Sequence, residues 1–491
     1  MRKNMATQTQ RRGSLRSAVT TGIGKAVRRA AGMVGGGSAF PGMVVEKIDR
    51  GFLGRTLAQL PLGTVVVSGT NGKTSTTRMI AQTLENLGFA VATNPTGSNF
   101  VRGVVSSLVR QVDSRGGLHA DVAVFELDEA YAALFVKQVP PRYCVLLNVL
   151  RDQLDRFGEI DNTARLLGAV AAATTGTVVL NRDDARVAAL AGVARSAKKT
   201  DYYGLEPNLR PMFPSDDDLH GHVVEDTDEA RAAEAAKQAY RNLPATVTLA
   251  SADRDQAEFL IDGAKHEATM RVSGVYNLFN AAAALAVVRA VVADAMDARE
   301  LSPKAERAVK QLRAMTAEQR DETLVKAVSR VTPAFGRGET IDVDGTLVDL
   351  VLVKNPSGFR SALQSFSPEG ADTMIAINDQ YADGRDMSWL WDVDFTSLRG
   401  RGVAMVSGTR RWDMALRLRY DGVEPREVTE DLGQAVDRLL AAGPGAHKRI
   451  YCTYTAMLEI RKHLEILLKV DKRLAGIAGI QRTIERGAEE R

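Results

Sequence analysis

This chain has little that could cross-link it and little that could carry it through a membrane. Its 491 residues include two cysteines, Cys144 and Cys452, which excludes a disulfide framework and a four-cysteine zinc site. Its apolar runs read as too short to span a bilayer, and the basic N-terminus lacks the sustained apolar stretch of a signal peptide. A net charge of +4 is too small to argue for nucleic acid as a partner. Acidic residues are missing before Glu46, while Arg2, Lys3, Arg11, Arg12, Arg16, Lys25, Arg28 and Arg29 fall in the same stretch. What remains is 45% hydrophobic and 25% charged, an ordinary globular composition with length for two or three domains. A cytoplasmic enzyme is the expectation.

One stretch organises the rest. Val65 to Met79 reads VVVSGTNGKTSTTRM: three β-branched residues, a glycine loop, then an apolar-periodic helix. The glycines let successive backbone N–H groups turn toward phosphate oxygens, and the helix N-terminus adds its positive dipole. Gly69, Thr70, Asn71, Gly72, Lys73, Thr74 and Ser75 are therefore the expected nucleotide-triphosphate loop. Lys73 supplies charge for the outer phosphates, and the Thr74 hydroxyl is placed to ligate magnesium. Asp121 to Leu127 reads as a buried strand closed by Glu126, a second candidate for the metal, with Asp128 and Glu129 just beyond.

Strands alternating with helices predict an α/β fold with a parallel sheet and right-handed crossovers. Polar turns at strand ends, Thr93–Asn99 and Leu150–Glu159, fall where ligands of such sheets bind. Residues 201–270 are the least readable, with an expected helix over 226–243 and two or three short strands over 245–270. The run containing Asp216, Asp217, Asp218, His220 and His222 reads as a solvated acidic loop rather than a metal site. A hinge at Pro333–Glu339 puts a domain boundary near residue 331. Beyond it, Asn378 to Asp392 gathers four aspartates and two of the three tryptophans. Residues 1–38 read as a basic flexible arm, or alternatively as a helix at Ser17–Met33 resting on an anionic membrane.

The loop Gly-Thr-Asn-Gly-Lys-Thr, with Val67 where the general phosphate loop has glycine, resembles the Mur ligase family, ATP-dependent enzymes that couple an activated carboxylate to an amine. Asn148, the Asn181–Asp184 turn and Gly274–Asn280 fit the same family. The resemblance extends to its MurT branch through ELDEA at 126–130, NVLRDQLDRFGE at 148–159, PAFGRGE at 333–339, VKNPSG at 353–358 and NDQYADGRDMSWLWD at 378–392. It implies a Mur ligase-like P-loop central domain over 39–330, with 201–270 inserted in place of a zinc ribbon. A smaller α/β C-terminal domain over 331–475 and a charged tail over 476–491 would follow. It implies ATP and Mg2+ as cofactors and no zinc. Asn277 and Asn280 would lie near the adenine and Arg337 near the phosphates; Thr74 and Glu126 would hold the metal. Glu126, Asp383 and Asp386 are the candidate catalytic residues. The implied reaction is amidation of the D-glutamate α-carboxylate of the lipid II stem peptide, with ammonia from a GatD-type glutaminase partner, at the inner face of the membrane. The alternative is a stand-alone ligase of the folylpolyglutamate synthase kind, joining an amino acid to a carboxylate.

Overall fold

In a computed structural model the described residues are 15–34, 40–94, 99–150, 160–213, 228–272, 274–332, 337–366, 368–443 and 445–468. They form two compact units, the first closing at Thr332 and the second running from Pro333. The 151–159 run, the 95–98 turn, the acidic 216–222 run and the Pro333–Gly336 hinge lie outside the described residues.

The first unit is built on a nine-stranded sheet ordered β2-β3-β1-β4-β5-β6-β7-β8-β9. Its strands are β1 Thr64–Ser68, β2 Val91–Thr93, β3 Val122–Glu126, β4 Tyr143–Leu146, β5 Thr177–Asn181, β6 Lys199–Leu205, β7 Val247–Asp253, β8 Gln256–Ile261 and β9 Ala264–Thr269. Pairing is parallel from β2 through β7, and antiparallel from β7 to β9. The stretch 201–270 is thus no separate insertion: β6 to β9 widen the main sheet. The central strands are buried along their whole length, because helices cover both faces. Val65 and Val67 enter one core with helix Val275–Asp297, and Val66 enters the other with helix Val101–Gln111, as a period-2 strand requires.

One reading is corrected here. Helix Val275–Asp297 is long and apolar enough to cross a membrane by length and composition, contrary to the expectation of no such run. It is mostly buried, with Ala281 to Val288 all inside the unit, so its apolarity belongs to the core. Of the two alternatives for the basic arm, the helical one is seen where the arm is described: Leu15–Val34 is a helix. It is held down by small residues, Thr20 donating to Asp49 Oδ2 at 2.9 Å and Gly24 lying so close to Val45 and Val109 that a Cβ would approach them to 2.8–3.0 Å.

The second unit has six strands in the order β10-β11-β15-β12-β13-β14: β10 Arg337–Val343, β11 Thr346–Leu352, β12 Ala371–Ala376, β13 Val403–Ser407, β14 Pro425–Val428 and β15 His447–Cys452. Only the edge hairpin β10–β11 is antiparallel. Ile375 and Tyr451 face one core, Met374 and Ile450 the other.

Candidate active site

The site forms at the carboxyl end of β1. The register sets Val67 beside Glu126 of β3 and Ser68 beside Leu146 of β4, so the exits of three parallel strands meet around one loop. Gly69 (φ +130°) and Gly72 (φ +88°) bend that loop into conformations that residues with a Cβ rarely adopt. A Cβ at Gly72 would lie 2.5 Å from Asn280 Oδ1, so the asparagine on helix Val275–Asp297 packs against the loop. Asn148 clamps the other side. Its Oδ1 accepts from Asn71 N at 2.8 Å, its Nδ2 donates to Asn71 O at 3.1 Å, and its own carbonyl accepts from Thr70 N at 3.0 Å.

Gly72 caps helix Lys73–Asn86, which starts with Lys73 turned back under the loop. The Lys73 Nζ donates to the carbonyls of Gly69 (2.6 Å) and Thr70 (3.2 Å). It also lies 3.2 Å from Asp128 Oδ1 and 3.5 Å from Glu129 Oε2. Thr74 Oγ1 donates to Glu126 Oε1 at 2.8 Å. Glu126 is held by Asn94, which accepts from Glu126 N at 3.0 Å and donates to Glu126 O at 2.9 Å. Lys73, Glu126, Asp128 and Glu129 are each 3–7% exposed. Lys73 thus lies against two buried carboxylates, Asp128 and Glu129, while Glu126 is held by the neighbouring Thr74, and burying two acids on one ammonium is costly unless further positive charge joins them. The donor set is all oxygen, hard ligands of the kind magnesium takes, so the residues fit a divalent cation.

The same helix anchors the end of the first unit. Arg78 donates to Thr332 O (2.8 Å) and Thr332 Oγ1 (2.7 Å), and Thr332 N donates to Gln82 Oε1 at 3.1 Å. Asn277 lies half-buried in the first turn of its helix, its N–H donating to Gly274 O at 2.9 Å. Arg337 opens β10, and its side chain lies outside the described residues.

The Asn181–Asp184 turn supports the site rather than lining it. Asn181 Nδ2 donates to Leu147 O at 2.9 Å. The Asp184 carboxylate accepts from Val149 N at 2.7 Å and Val187 N at 3.0 Å. It thus fixes the chain just past Asn148. Burial pushes its acid up to about 6, against the pull of those two N–H groups.

The second unit has its own strand-end loop. Asp383 is buried, accepting from Thr455 N (2.7 Å), Thr455 Oγ1 (2.5 Å) and Gln380 N (3.1 Å). Asp386 is exposed, and the Ser388 hydroxyl and N–H hold its carboxyl below the usual carboxylate range. Trp389 is buried in the core against Phe359, whereas Trp391 is exposed beside Tyr420. Sequence reasoning named Glu126 as the key acid and left the Lys73 partners, Asp128 and Glu129, in the background. Their position directly after a strand adjoining β1 was the signal.

This fold and site define a phosphate-loop α/β protein built to hold a nucleotide against buried acids. The Mur ligase middle domain matches residues 67–288, and the MurT ligase C-terminal domain matches residues 352–457. The chain thus carries a middle domain of the Mur ligase kind and a C-terminal domain of the MurT kind. It is 29% identical over 453 residues to the lipid II isoglutaminyl synthase (glutamine-hydrolyzing) subunit MurT of Streptococcus pneumoniae, covering 88% of this chain and 93% of that one. The subunit of the same name from Staphylococcus aureus is 27% identical over 445 residues, 85% and 91% of the two chains. Among solved structures, MurF ligase from Thermotoga maritima in complex with ADP shares the fold, with a TM-score of 0.57 at 15% identity over 84% of this chain and 83% of that one.

Proposed function

We propose that this chain is the synthase subunit of a glutamine-dependent amidotransferase. It uses ATP to activate the D-glutamate α-carboxylate of the lipid II stem peptide as an acyl phosphate. Ammonia then attacks the acyl carbon, phosphate leaves, and the acid becomes the D-isoglutamine amide. The observation that carries this reading is an activating site in a chain without an accessible thiol. Glutaminase chemistry of the class I type needs an activated cysteine. Both cysteines of this chain are buried in strands, and burial pushes the Cys144 thiol up to about 12 and the Cys452 thiol up as well. Ammonia must therefore come from a second subunit, a GatD-type glutaminase, or from solution.

In this reading the N–H groups of residues 69–74 cradle the phosphates, and Lys73 leaves its carbonyl partners to meet the outer phosphate oxygens. Thr74 and Glu126 would hold magnesium, which would neutralise charge on the transferring group. Asn148 and Asn280 keep the loop in shape, so positioning is prepaid, as phosphoryl transfer requires. Asn277 would position the base and Arg337 the phosphates. Asp386 is the second unit's accessible carboxylate, suited to the ammonia path or to the partner's glutaminase site; Asp383 shapes its loop. A reaction drawing on ATP and glutamine belongs in the cytoplasm.

The test is to co-purify the chain with a class I glutaminase and assay lipid II with ATP and glutamine, reading the small mass decrease from acid to amide. Amide formed only with both subunits and ATP is expected. ATP use with a free amino acid and no partner would overturn the reading in favour of a stand-alone ligase.

A further inference from the structure

Helix Leu15–Val34 is folded inside out. Among its described side chains, those fully buried against the protein are Ser17, Thr20, Thr21 and Gly24, with Lys25 and Val27 half-buried. The side turned to solvent carries Val19 (57% exposed), Ile23 (36%), Ala26 and Ala30. At helical spacing these four form one stripe. An ordinary surface helix does the opposite, hiding valine and isoleucine and showing threonine. Packing does not demand the reversal, because the buried hydroxyls and glycine already allow a close approach. The outward stripe is thus available to a second apolar medium.

Charge says which one. Arg16 stands at the head of the stripe, paired at 3.2 Å with Asp49. Arg28 and Arg29 are exposed near its end and have no carboxylate partner among the described residues. The first 45 residues hold eight basic side chains and no acidic one, in a chain whose net charge is only +4, so the remainder is net acidic. The next helix, Phe40–Ile48, exposes Phe40 (47%), Ile48 (51%) and Lys47. A narrow apolar stripe with arginines around it, whose nearby acids Asp49 and Glu46 are each paired with arginine, matches the boundary of an anionic bilayer.

We propose that helix Leu15–Val34 lies flat on an anionic lipid surface, with Val19, Ile23 and Ala26 at the acyl boundary and Arg28 and Arg29 among the headgroups. Nothing in this depends on the amidation reading. The test is co-sedimentation of the full chain with vesicles of phosphatidylglycerol and phosphatidylcholine, against vesicles of phosphatidylcholine alone. Binding to the anionic vesicles, weakened by salt, is expected. The double variant Arg28→Glu, Arg29→Glu should weaken it at least about tenfold, and Val19→Asp with Ile23→Asp should abolish it. Melting temperature should hold in both, since all four residues are exposed. Equal binding to neutral vesicles, or binding that survives both variants, would overturn the proposal. So would a full chain that ignores vesicles; if it then forms a dimer that Val19→Asp disrupts, the stripe is a protein interface.

Discussion

Two loops at carboxyl ends of parallel strands, one in each unit, handle a buried charge in opposite ways. In the first unit, Lys73 is buried among carboxylates and carbonyl oxygens. In the second, Asp383 is buried among neutral N–H and O–H donors. Asp383 is thereby satisfied by its own domain, and its accessible neighbour Asp386 is left to face outward. The first loop is not satisfied in that sense. It holds two acids, Asp128 and Glu129, against one base, an arrangement that improves when phosphates draw the lysine away and a cation joins the acids. A buried charge with neutral partners reads as architecture, and one set amid surplus opposite charge reads as a binding site.

The largest effect should come from removing Lys73. Lys73→Ala takes the phosphate charge away and leaves Asp128 and Glu129 buried without it. ATP-dependent amidation should fall by about 10²–10³-fold, the scale of losing one preorganised electrostatic contact. Stability should fall too, by about 3–5 kcal/mol, as for breaking a buried ion pair on one side. Single-turnover kinetics and thermal melting check the two parts. A variant that loses activity but melts like the parent would mean the acids are not paired through this lysine, and the contrast with Asp383 would lose its basis.

Gly72→Ala sharpens the same loop. Position 72 has φ +88° and a Cβ there meets Asn280 at 2.5 Å, so two penalties act together. The left-handed backbone alone costs about 1–2 kcal/mol, and the displaced loop should lose roughly 10²-fold in turnover. Adding Asn280→Ala should restore part of this, because it removes the collision and leaves the backbone term. Full additivity in the double-mutant cycle would show that the two residues do not touch.

Across the second loop the two aspartates should separate. Asp383→Asn must leave at least one of three donors without its acceptor, so unit stability should drop by about 1–3 kcal/mol. Among the described residues the hydrogen-bond partner of Asp386 is Ser388, so with Asp386→Asn melting should barely move while glutamine-dependent amidation falls and ammonia-dependent amidation is less affected. The reverse pattern, with Asp386→Asn unfolding the unit, would assign these residues the other way round.

How much of this was legible beforehand follows from which forces are local. The glycine loop was readable because backbone geometry itself demands glycine at 69 and 72. Glu126 was readable because it ends a strand. The choice of Asp128 and Glu129 as lysine partners was not, since it depends on β1 pairing with β3 and on where the helix Glu129–Phe135 begins. The strands β7 to β9 were legible over 245–270, but their joining of the main sheet was not, because it rests on the pairing of β7 with β6. The N-terminal helix was legible only as an alternative to a frayed arm, because its buried face is polar and its outward face apolar, so the usual pattern pointed away from the protein. The four aspartates of 378–392 looked like a single cluster, and only packing divides them into a buried Asp383 and an exposed Asp386.

The smallest expected effect concerns Asp184, the acid that holds the chain behind the loop. Its folded value is raised to about 6 from an ordinary value of 3.8, chiefly because burial penalises the charged form. Between those values the folded chain keeps a proton that the unfolded chain has released. Stability from this group is therefore present below about pH 4, declines as pH rises through the window, and is gone above about pH 6. Asp184→Asn is neutral throughout, and its carboxamide oxygen still accepts one of the two N–H bonds. At low pH the variant should be the less stable protein, having lost an acceptor. Its deficit should then shrink by up to about 1.4 kcal/mol per pH unit across the window. Urea midpoints for both proteins from acid to neutral pH measure the difference directly, and other carboxylates cancel in the comparison. A constant gap at every pH would mean that folding leaves the Asp184 acid at its ordinary value, so that it is ionised at neutral pH despite its burial. It would then belong with Lys73, as a buried charge sustained by its surroundings, and not with the neutral-partnered architecture of Asp383.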